Sequence, residues 1–211
     1  PSCGTLIWMS RSCSADNDFY KFTMQNAVVK LFPNSIVKYQ FINRGKHIFP
    51  EGFGKALRKL VDAMADLQLT KQEKKYIESI CPYLDLPYLD FLEGYRYDPS
   101  EVHIEQIGND LEIYVEGLWY RTILWEVPLL SLISELHYEM NHLERDSNEV
   151  IINRTLDKAD HLNKLNVNYA EFGTRRRHSY KVQDIVVESL NKKDNTNFIG
   201  SSNVHFAMKY N

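Results

Sequence analysis

The sequence predicts an α/β fold, and three patterns carry that prediction. EVHIEQI and LEIYVEG alternate apolar with polar residues on either side of Gly108-Asn109-Asp110, as an antiparallel hairpin with one wet face does. NVNYA (166–170) and NFIG (197–200) are short apolar runs with a helical run between them. Their separation of about thirty residues is the length of a β-α-β unit, so they are expected to lie parallel. Elsewhere apolar residues recur every three or four positions, the helical period. The chain therefore divides into residues 18–122, an α+β region with antiparallel strands, and residues 123–211, helices leading into an unfinished parallel β/α series. Residues 1–17, with a brief apolar patch from Leu6 to Met9, are set aside as an N-terminal arm, frayed or foreign to the native chain.

Taken in order, Asp18 to Phe32 carries Phe19, Phe22, Ala27, Val29 and Leu31 among polar residues and ends at Pro33-Asn34, which predicts a first helix. VKYQFIN alternates Val37, Tyr39 and Phe41 with Lys38 and Gln40 and predicts a half-buried strand. Leu57, Leu60, Met64 and Leu67 make residues 54–67 an amphipathic helix. TKQE has the capping-box form, in which Thr70 and Glu73 satisfy each other's amides at a helix start, and Pro82 ends that helix. CPYLDLPYLDFLEGYRYDP reads as short helical turns packing aromatics on the core. After GLWYRT the pattern is helical through ILWEVPLLSLISELHYEMNHLE, with Leu129, Leu132, Ile133 and Leu136 on one side and Pro128 admissible near the start. A second helix covers residues 149–164. The run from His178 to Asn191 predicts a helix with Ile185, Val186 and Leu190 inward, and a further helix starts near Ser202. His103 falls on the wet face of the hairpin and is read as a surface residue.

With 25 Lys and Arg against 28 Asp and Glu, the chain has no overall basic field of the kind that nucleic-acid binding calls for, so any basic chemistry is local. No run approaches membrane-spanning length. Cys3, Cys13 and Cys81 form neither a metal-ligand spacing nor an even disulfide set, which suits a reducing, cytoplasmic setting.

The local basic feature is EFGTRRRHSY (171–180). Parallel strands put their carboxyl ends on one edge, the edge that carries the site in β/α folds. The first strand runs into EFGTRRR and the second into GSSN at a helix start. Gly173 permits a tight turn, Arg175 and Arg176 offer planar forks for phosphate oxygens, and Gly200, Ser201 and Asn203 offer hydroxyls and unpaired amides. Together the tips predict a site for a phosphorylated ligand; taken singly, RRR also reads as a solvated charge run and GSSN as an ordinary cap. Phe172 is either core or a plate for a flat ligand. Tyr20 either packs inward or faces a pocket.

DNDFYKFTMQ, the FINRG and FPEGF pair, GLWYRTILWEVPLL, EFGTRRRHS and FIGSSNVHFA stand in the order they have in nicotinate phosphoribosyltransferases, which this sequence resembles over residues 16–211. The resemblance implies a type II phosphoribosyltransferase fold, an N-terminal α/β domain followed by a β/α barrel, here incomplete, in a homodimer with shared active sites. It implies the joining of nicotinate to 5-phosphoribosyl 1-pyrophosphate (PRPP) with release of nicotinate mononucleotide and pyrophosphate. Mg2+ on the pyrophosphate, coupled ATP hydrolysis and a place in NAD salvage come with it. By the same resemblance Tyr20 approaches the pyridine ring from the partner subunit and Phe172 covers the ring's other face. Arg175 lies near the phosphoribosyl phosphates with Arg176 as its neighbour, and Asp18 and Lys21 belong to the first motif. Ser202 stands where the similar nicotinamide phosphoribosyltransferases have an aspartate. A neutral serine spares nicotinate's carboxylate a like charge, so the acid is the expected substrate.

One part of the family pattern is not met. The resemblance implies a phosphorylated histidine on a later barrel loop, expected beyond Asn211, and none of the seven histidines falls in that motif, although His178 and His205 stand near the expected site edge. No catalytic residue is therefore assigned from the sequence. The chain is accordingly expected to be the first half of the enzyme and to lack turnover alone, since such a barrel takes about 200 residues or more. Other readings are a phosphoribosyltransferase for nicotinamide or quinolinate, and a non-catalytic nucleotide-binding protein.

Overall fold

A computed structural model describes residues 14–192 and 197–210. Helix α1 (Phe19–Leu31) leads to strand β1 (Ile36–Gln40); α2 (Phe53–Ala63), continued by a 3-10 turn at Met64–Asp66, is followed by α3 (Lys71–Ile80) and α4 (Leu86–Gly94). A 3-10 turn at Pro99–Glu101 precedes β2 (Val102–Ile107) and β3 (Asp110–Leu118). One helical turn, α5 (Trp119–Thr122), and a 3-10 turn, Ile123–Trp125, lead into α6 (Glu126–Met140) and α7 (Asn148–Lys164). Then come β4 (Tyr169–Glu171), a 3-10 turn at Thr174–Arg176, α8 (Tyr180–Lys192), β5 (Phe198–Ser201) and α9 (Val204–Tyr210). Among the described residues no helix is long and apolar enough to cross a membrane.

The strands form two sheets. In the first, β3 lies between β1 and β2 and both pairings are antiparallel. The alternation acts as expected: Leu111, Ile113 and Val115 are buried while Glu112 and Glu116 are exposed. His103 is exposed and stacks on Tyr114 with ring centroids 4.3 Å apart. In the second sheet β4 and β5 run parallel, Tyr169 opposite Phe198 and Glu171 opposite Ser201, as their spacing predicts. The Thr70 capping box is also present, with Glu73 N donating to Thr70 Oγ1 at 3.2 Å and Thr70 N to Glu73 Oε2 at 2.8 Å.

Several boundaries move for local reasons. NVNYA is only partly strand: Asn166 takes a left-handed conformation, φ +53°, and its amide and that of Val167 return to Asn163 O and Leu162 O. That is how a helix ends, so α7 uses the first residues of the run and β4 starts at Tyr169. The helix expected through Glu144 stops at Met140, where His142 at φ +54° turns the chain back. In α8 the innermost residues are Gln183, Val187 and Leu190, while Ile185 and Val186 are only half-buried. Ser14 to Asn17, expected in the set-aside arm, are buried in the fold, with Ala15 and Asn17 fully enclosed. The expectation for residues 1–13, like Cys3 and Cys13, lies outside the described residues. So does Asn211, the position beyond which the family's histidine loop is expected, since the last described residue is Tyr210.

One apolar core joins α2, the hairpin, the Ile123–Trp125 turn, α6 and Val204 of α9. Trp125, fully buried, donates from Nε1 to Glu101 Oε2 at 3.1 Å. Beside this core runs a buried polar network centred on Arg177. Its guanidinium, 1% exposed, donates to both oxygens of Asp16 at 2.9 and 2.7 Å, to Glu135 Oε1 at 2.7 Å and to Gln183 Oε1 at 3.0 Å. The arm residue Asp16, α6 and α8 are therefore joined through one cation. Removing a single partner from such a group leaves uncompensated buried charge, which costs about 3–5 kcal/mol. Arg177→Met is expected to lower the unfolding free energy by that amount in a urea titration, and Arg176→Ala, at an exposed neighbour, to change it by less than about 0.5 kcal/mol. Equal effects at the two positions would contradict the assignment.

Candidate functional site

The two parallel strand ends meet through Glu171. Its backbone oxygen accepts from Ser202 N at 2.8 Å, and its carboxylate accepts from Gly173 N at 2.6 Å through Oε1 and from Ser201 Oγ at 2.6 Å through Oε2. A Cβ at Gly173 would sit 2.8 Å from Glu171 Oε1 and would displace the carboxylate that Gly173 N holds. Gly200 is required for a different reason, its φ of +118°, where an L side chain is strained. Thr174 is buried in the tip and accepts from Gln183 Nε2 at 2.9 Å and Asn203 Nδ2 at 3.0 Å. The tips predicted from spacing thus come together, held by groups that the spacing did not identify.

The unpaired amides expected at GSSN are not there. Residues 15–19 cross the start of α9 and occupy them: Val204 N donates to Asn17 O at 2.9 Å and His205 N to Ala15 O at 3.0 Å, while Phe19 N donates back to Ser202 O at 2.9 Å. Asn203 N is held by Ser201 Oγ at 3.1 Å, and Phe206 N by the Asn203 side chain at 3.2 Å. Asn203 is therefore a buried helix cap whose amide nitrogen also donates to Asp16 Oδ1 at 2.8 Å. Positive charge, not a nest of free amides, is what this edge offers an anion.

That charge is arranged around Glu126, the first residue of α6. Lys21 Nζ of α1 donates to Glu126 Oε2, and Arg175 Nη1 of the tip donates to Glu126 Oε1 at 2.8 Å. The Lys21 side chain is 3% exposed and that of Arg175 38% exposed. Burial pushes the Glu126 carboxyl up, but the hydrogen bond and charge of Lys21 together with Arg175 outweigh it and hold the group below its ordinary value. Arg176 is exposed, and Arg177 is the structural cation already described. The triplet is therefore neither a uniform phosphate clamp nor a solvated run, since its members occupy three environments.

Tyr20 lies within electrostatic reach of the same cluster. Burial and the Glu126 charge push its phenol up to about 12, against the opposing pull of Arg175. Its ring is 40% exposed and that of Phe172 is 70% exposed, so neither is core. Ser202 Oγ donates to Asp18 Oδ1 at 2.8 Å. Asp18 is buried, and desolvation raises its carboxyl against the pull of Ser202 and Arg175, with Glu171 and Asp16 adding to the rise. A carboxyl group therefore stands one hydrogen bond behind the serine, and the charge of this corner depends on Asp18 as well as on Ser202. His178 stacks on Tyr138 at 4.3 Å and contacts Leu143 O at 3.2 Å; His205 Nε2 lies 2.6 Å from Tyr180 Oη. Both are engaged in packing.

Glu126, Glu171 and Asp16 were not singled out in the sequence. An acidic residue opening the helix after LW, where the macrodipole favours it, was the available signal for Glu126. A shallow hollow of about 630 Å³ lies elsewhere, lined by Asp90, Phe91, Tyr95, Arg96, Asp98 and Arg121 among others. Its arginines are held by the chain's own acceptors, Arg121 by Glu101 and Arg96 by Gln68 and backbone carbonyls, and it contains none of the strand-end residues.

The sequence profile of the nicotinate phosphoribosyltransferase (NAPRTase) N-terminal domain matches residues 15–134, and that of the NAPRTase family matches residues 167–211. The chain belongs to the nicotinate phosphoribosyltransferase family. It is similar to the nicotinate phosphoribosyltransferases of Chromohalobacter salexigens, 60% identical over 92% of this chain and 50% of that protein, and of Desulforapulum autotrophicum, 43% identical over 93% and 50%. The crystal structure of nicotinate phosphoribosyltransferase from Porphyromonas gingivalis superposes with a TM-score of 0.90 at 38% identity, over 95% of this chain and 51% of that one. The α/β fold here is the fold of that family. The chain spans about half the length of the curated relatives it matches.

In this nicotinate phosphoribosyltransferase family member the Glu126 cluster titrates in a stated direction. A carboxyl whose folded-state value is depressed contributes stability that is full above its ordinary value and lost as pH falls through the depressed one. The stability advantage of the wild type over Glu126→Gln, followed by urea unfolding, is expected to hold at neutral pH and to shrink as pH drops below 4.5. An advantage that is flat across that range would remove the ion pairs from the account.

Proposed function

We propose that this chain carries the nicotinate and phosphoribosyl edge of a nicotinate phosphoribosyltransferase, which joins nicotinate to PRPP to give nicotinate mononucleotide and pyrophosphate. The observation that carries the reading is the parallel β4–β5 pair, which brings Arg175, Phe172 and Ser202 to one edge beside Lys21 and Tyr20 of α1. In the reaction the pyridine nitrogen's lone pair forms the bond to the anomeric carbon while the carbon–oxygen bond to pyrophosphate breaks, its electron pair leaving with the pyrophosphate. No base is needed, because that lone pair is free. Positive charge grows on the ribose and negative charge on the leaving group, so the protein's work is positioning and electrostatics. Arg175 and Arg176 hold phosphate oxygens, Phe172 and Tyr20 hold the flat ring, and Ser202 with Asp18 borders its substituent. Gly200 and Ser201 shape the second strand end.

Mg2+ enters this reading as a companion of the pyrophosphate. Among the described residues no group of three or more His, Cys, Asp or Glu is placed to hold a metal ion, and no step here passes through one. ATP coupling, a place in NAD salvage and a cytoplasmic setting belong to the proposal on the strength of the family resemblance alone. A homodimer is supported by apolar exposure in and just after α1, where Met24, Leu31, Phe32 and Ile36 are all exposed. One observation favours nicotinamide as an alternative substrate, namely the Asp18 carboxyl behind Ser202, an acceptor for a carboxamide N–H.

Conversion of labelled nicotinate and PRPP to the mononucleotide by the full-length protein tests the reaction, and a preference for nicotinamide in a side-by-side assay would defeat the choice of acid. Arg175→Ala is expected to weaken PRPP by roughly 2–4 kcal/mol in calorimetry, the scale of a lost charged contact; unchanged affinity would take Arg175 out of the site. Tyr20→Ala is expected to weaken nicotinate more than PRPP, with equal losses pointing instead to a folding defect.

A further inference from the structure

Glu126 joins three elements. One carboxylate oxygen accepts from Lys21 on α1 and the other from Arg175 on the tip turn at 2.8 Å, while the residue itself is the first of the 15-residue helix α6. Glu126 thus stands between two cations, Lys21 and Arg175, and is bonded to both. Glu126 takes a single nitrogen, Nη1, of a guanidinium that carries several N–H donors, and the Arg175 side chain remains 38% exposed.

Two effects of opposite sign follow. As a charge, the Glu126 carboxylate repels phosphate. As a tether, it fixes a long arginine side chain that would otherwise lose its rotamer freedom on binding. The geometry favours the tether, since both carboxylate oxygens are already engaged by cations and one of those cations, Lys21, is buried beneath it. We propose that Glu126 is a positioning residue for the phosphoribosyl substrate: it holds the Arg175 guanidinium in the orientation that receives phosphate oxygens and does not itself touch the ligand. This inference rests on the reading of the edge as a PRPP site.

The test is calorimetric titration of PRPP into the full-length wild type, Glu126→Gln, Arg175→Ala and the double variant, each shown folded by circular dichroism. Glu126→Gln is expected to weaken PRPP by at least about tenfold, the scale of one charged hydrogen bond, and by far less when Arg175 is already alanine, because the two residues act as a unit. Unchanged or tighter binding by Glu126→Gln would show a mere repelling charge and overturn the proposal. An equal loss in both backgrounds, the mark of a general structural defect, would overturn it too. If Glu126→Gln does not fold, Glu126→Asp, which keeps the charge and shortens the reach, goes through the same cycle with the same outcomes deciding. A wild type that binds no PRPP overturns the site reading and the proposal together, whereas a wild type matched by Glu126→Gln overturns the tether alone.

Discussion

A guanidinium withdrawn from water must be surrounded by acceptors, and the placement of the arginine tip follows from how Arg177 meets that demand. Its partners are Asp16, 161 residues earlier, and Glu135, in the middle of α6. Around this centre Gln183 reaches both Arg177 and Thr174, and Asn203 reaches both Asp16 and Thr174. The start of the fold, its central helix and both strand ends are thereby fixed relative to one another by directional bonds rather than by apolar contact alone. Its neighbours, half-buried Arg175 and exposed Arg176, are displayed on that frame.

The edge so formed is a study in unequal charge. Three carboxylates, Glu171, Asp18 and Glu126, stand close to the cations, and each is committed: Glu171 ties the two strand ends, Asp18 receives Ser202, and Glu126 divides itself between Lys21 and Arg175. Fixed acceptors of this kind keep donors aimed, which is the condition under which electrostatic stabilisation costs little reorganisation during a reaction.

Local rules carried the sequence reading a long way. The hairpin came from alternation, the α3 start from Thr70 and Glu73, and the parallel pair from the interval between NVNYA and NFIG, all features set by residues near one another in the chain. What the residues themselves left open were the long-range partnerships. Nothing in RRRHS distinguishes Arg177 from Arg175, because the difference lies in Asp16 and Glu135. The amides at the start of α9 looked available because the segment that occupies them, Ala15 to Asn17, reads as arm in a sequence with no periodicity there. Ser202 was legible as a neutral side chain, but its hydroxyl's commitment to Asp18 depends on a crossing that only three dimensions supply.

That crossing has a mechanical consequence. Because Phe19 N is bonded to Ser202 O and Val204 N to Asn17 O, the strand end that carries Ser202 and the helix that carries Tyr20 and Lys21 cannot shift independently. Any displacement on one side is transmitted to the other through backbone bonds, so a group held at Ser202 and a group held at Tyr20 would sense each other's presence. Such coupling is reciprocal in free energy: whatever occupation of one side gives to the other, the other must return in equal measure.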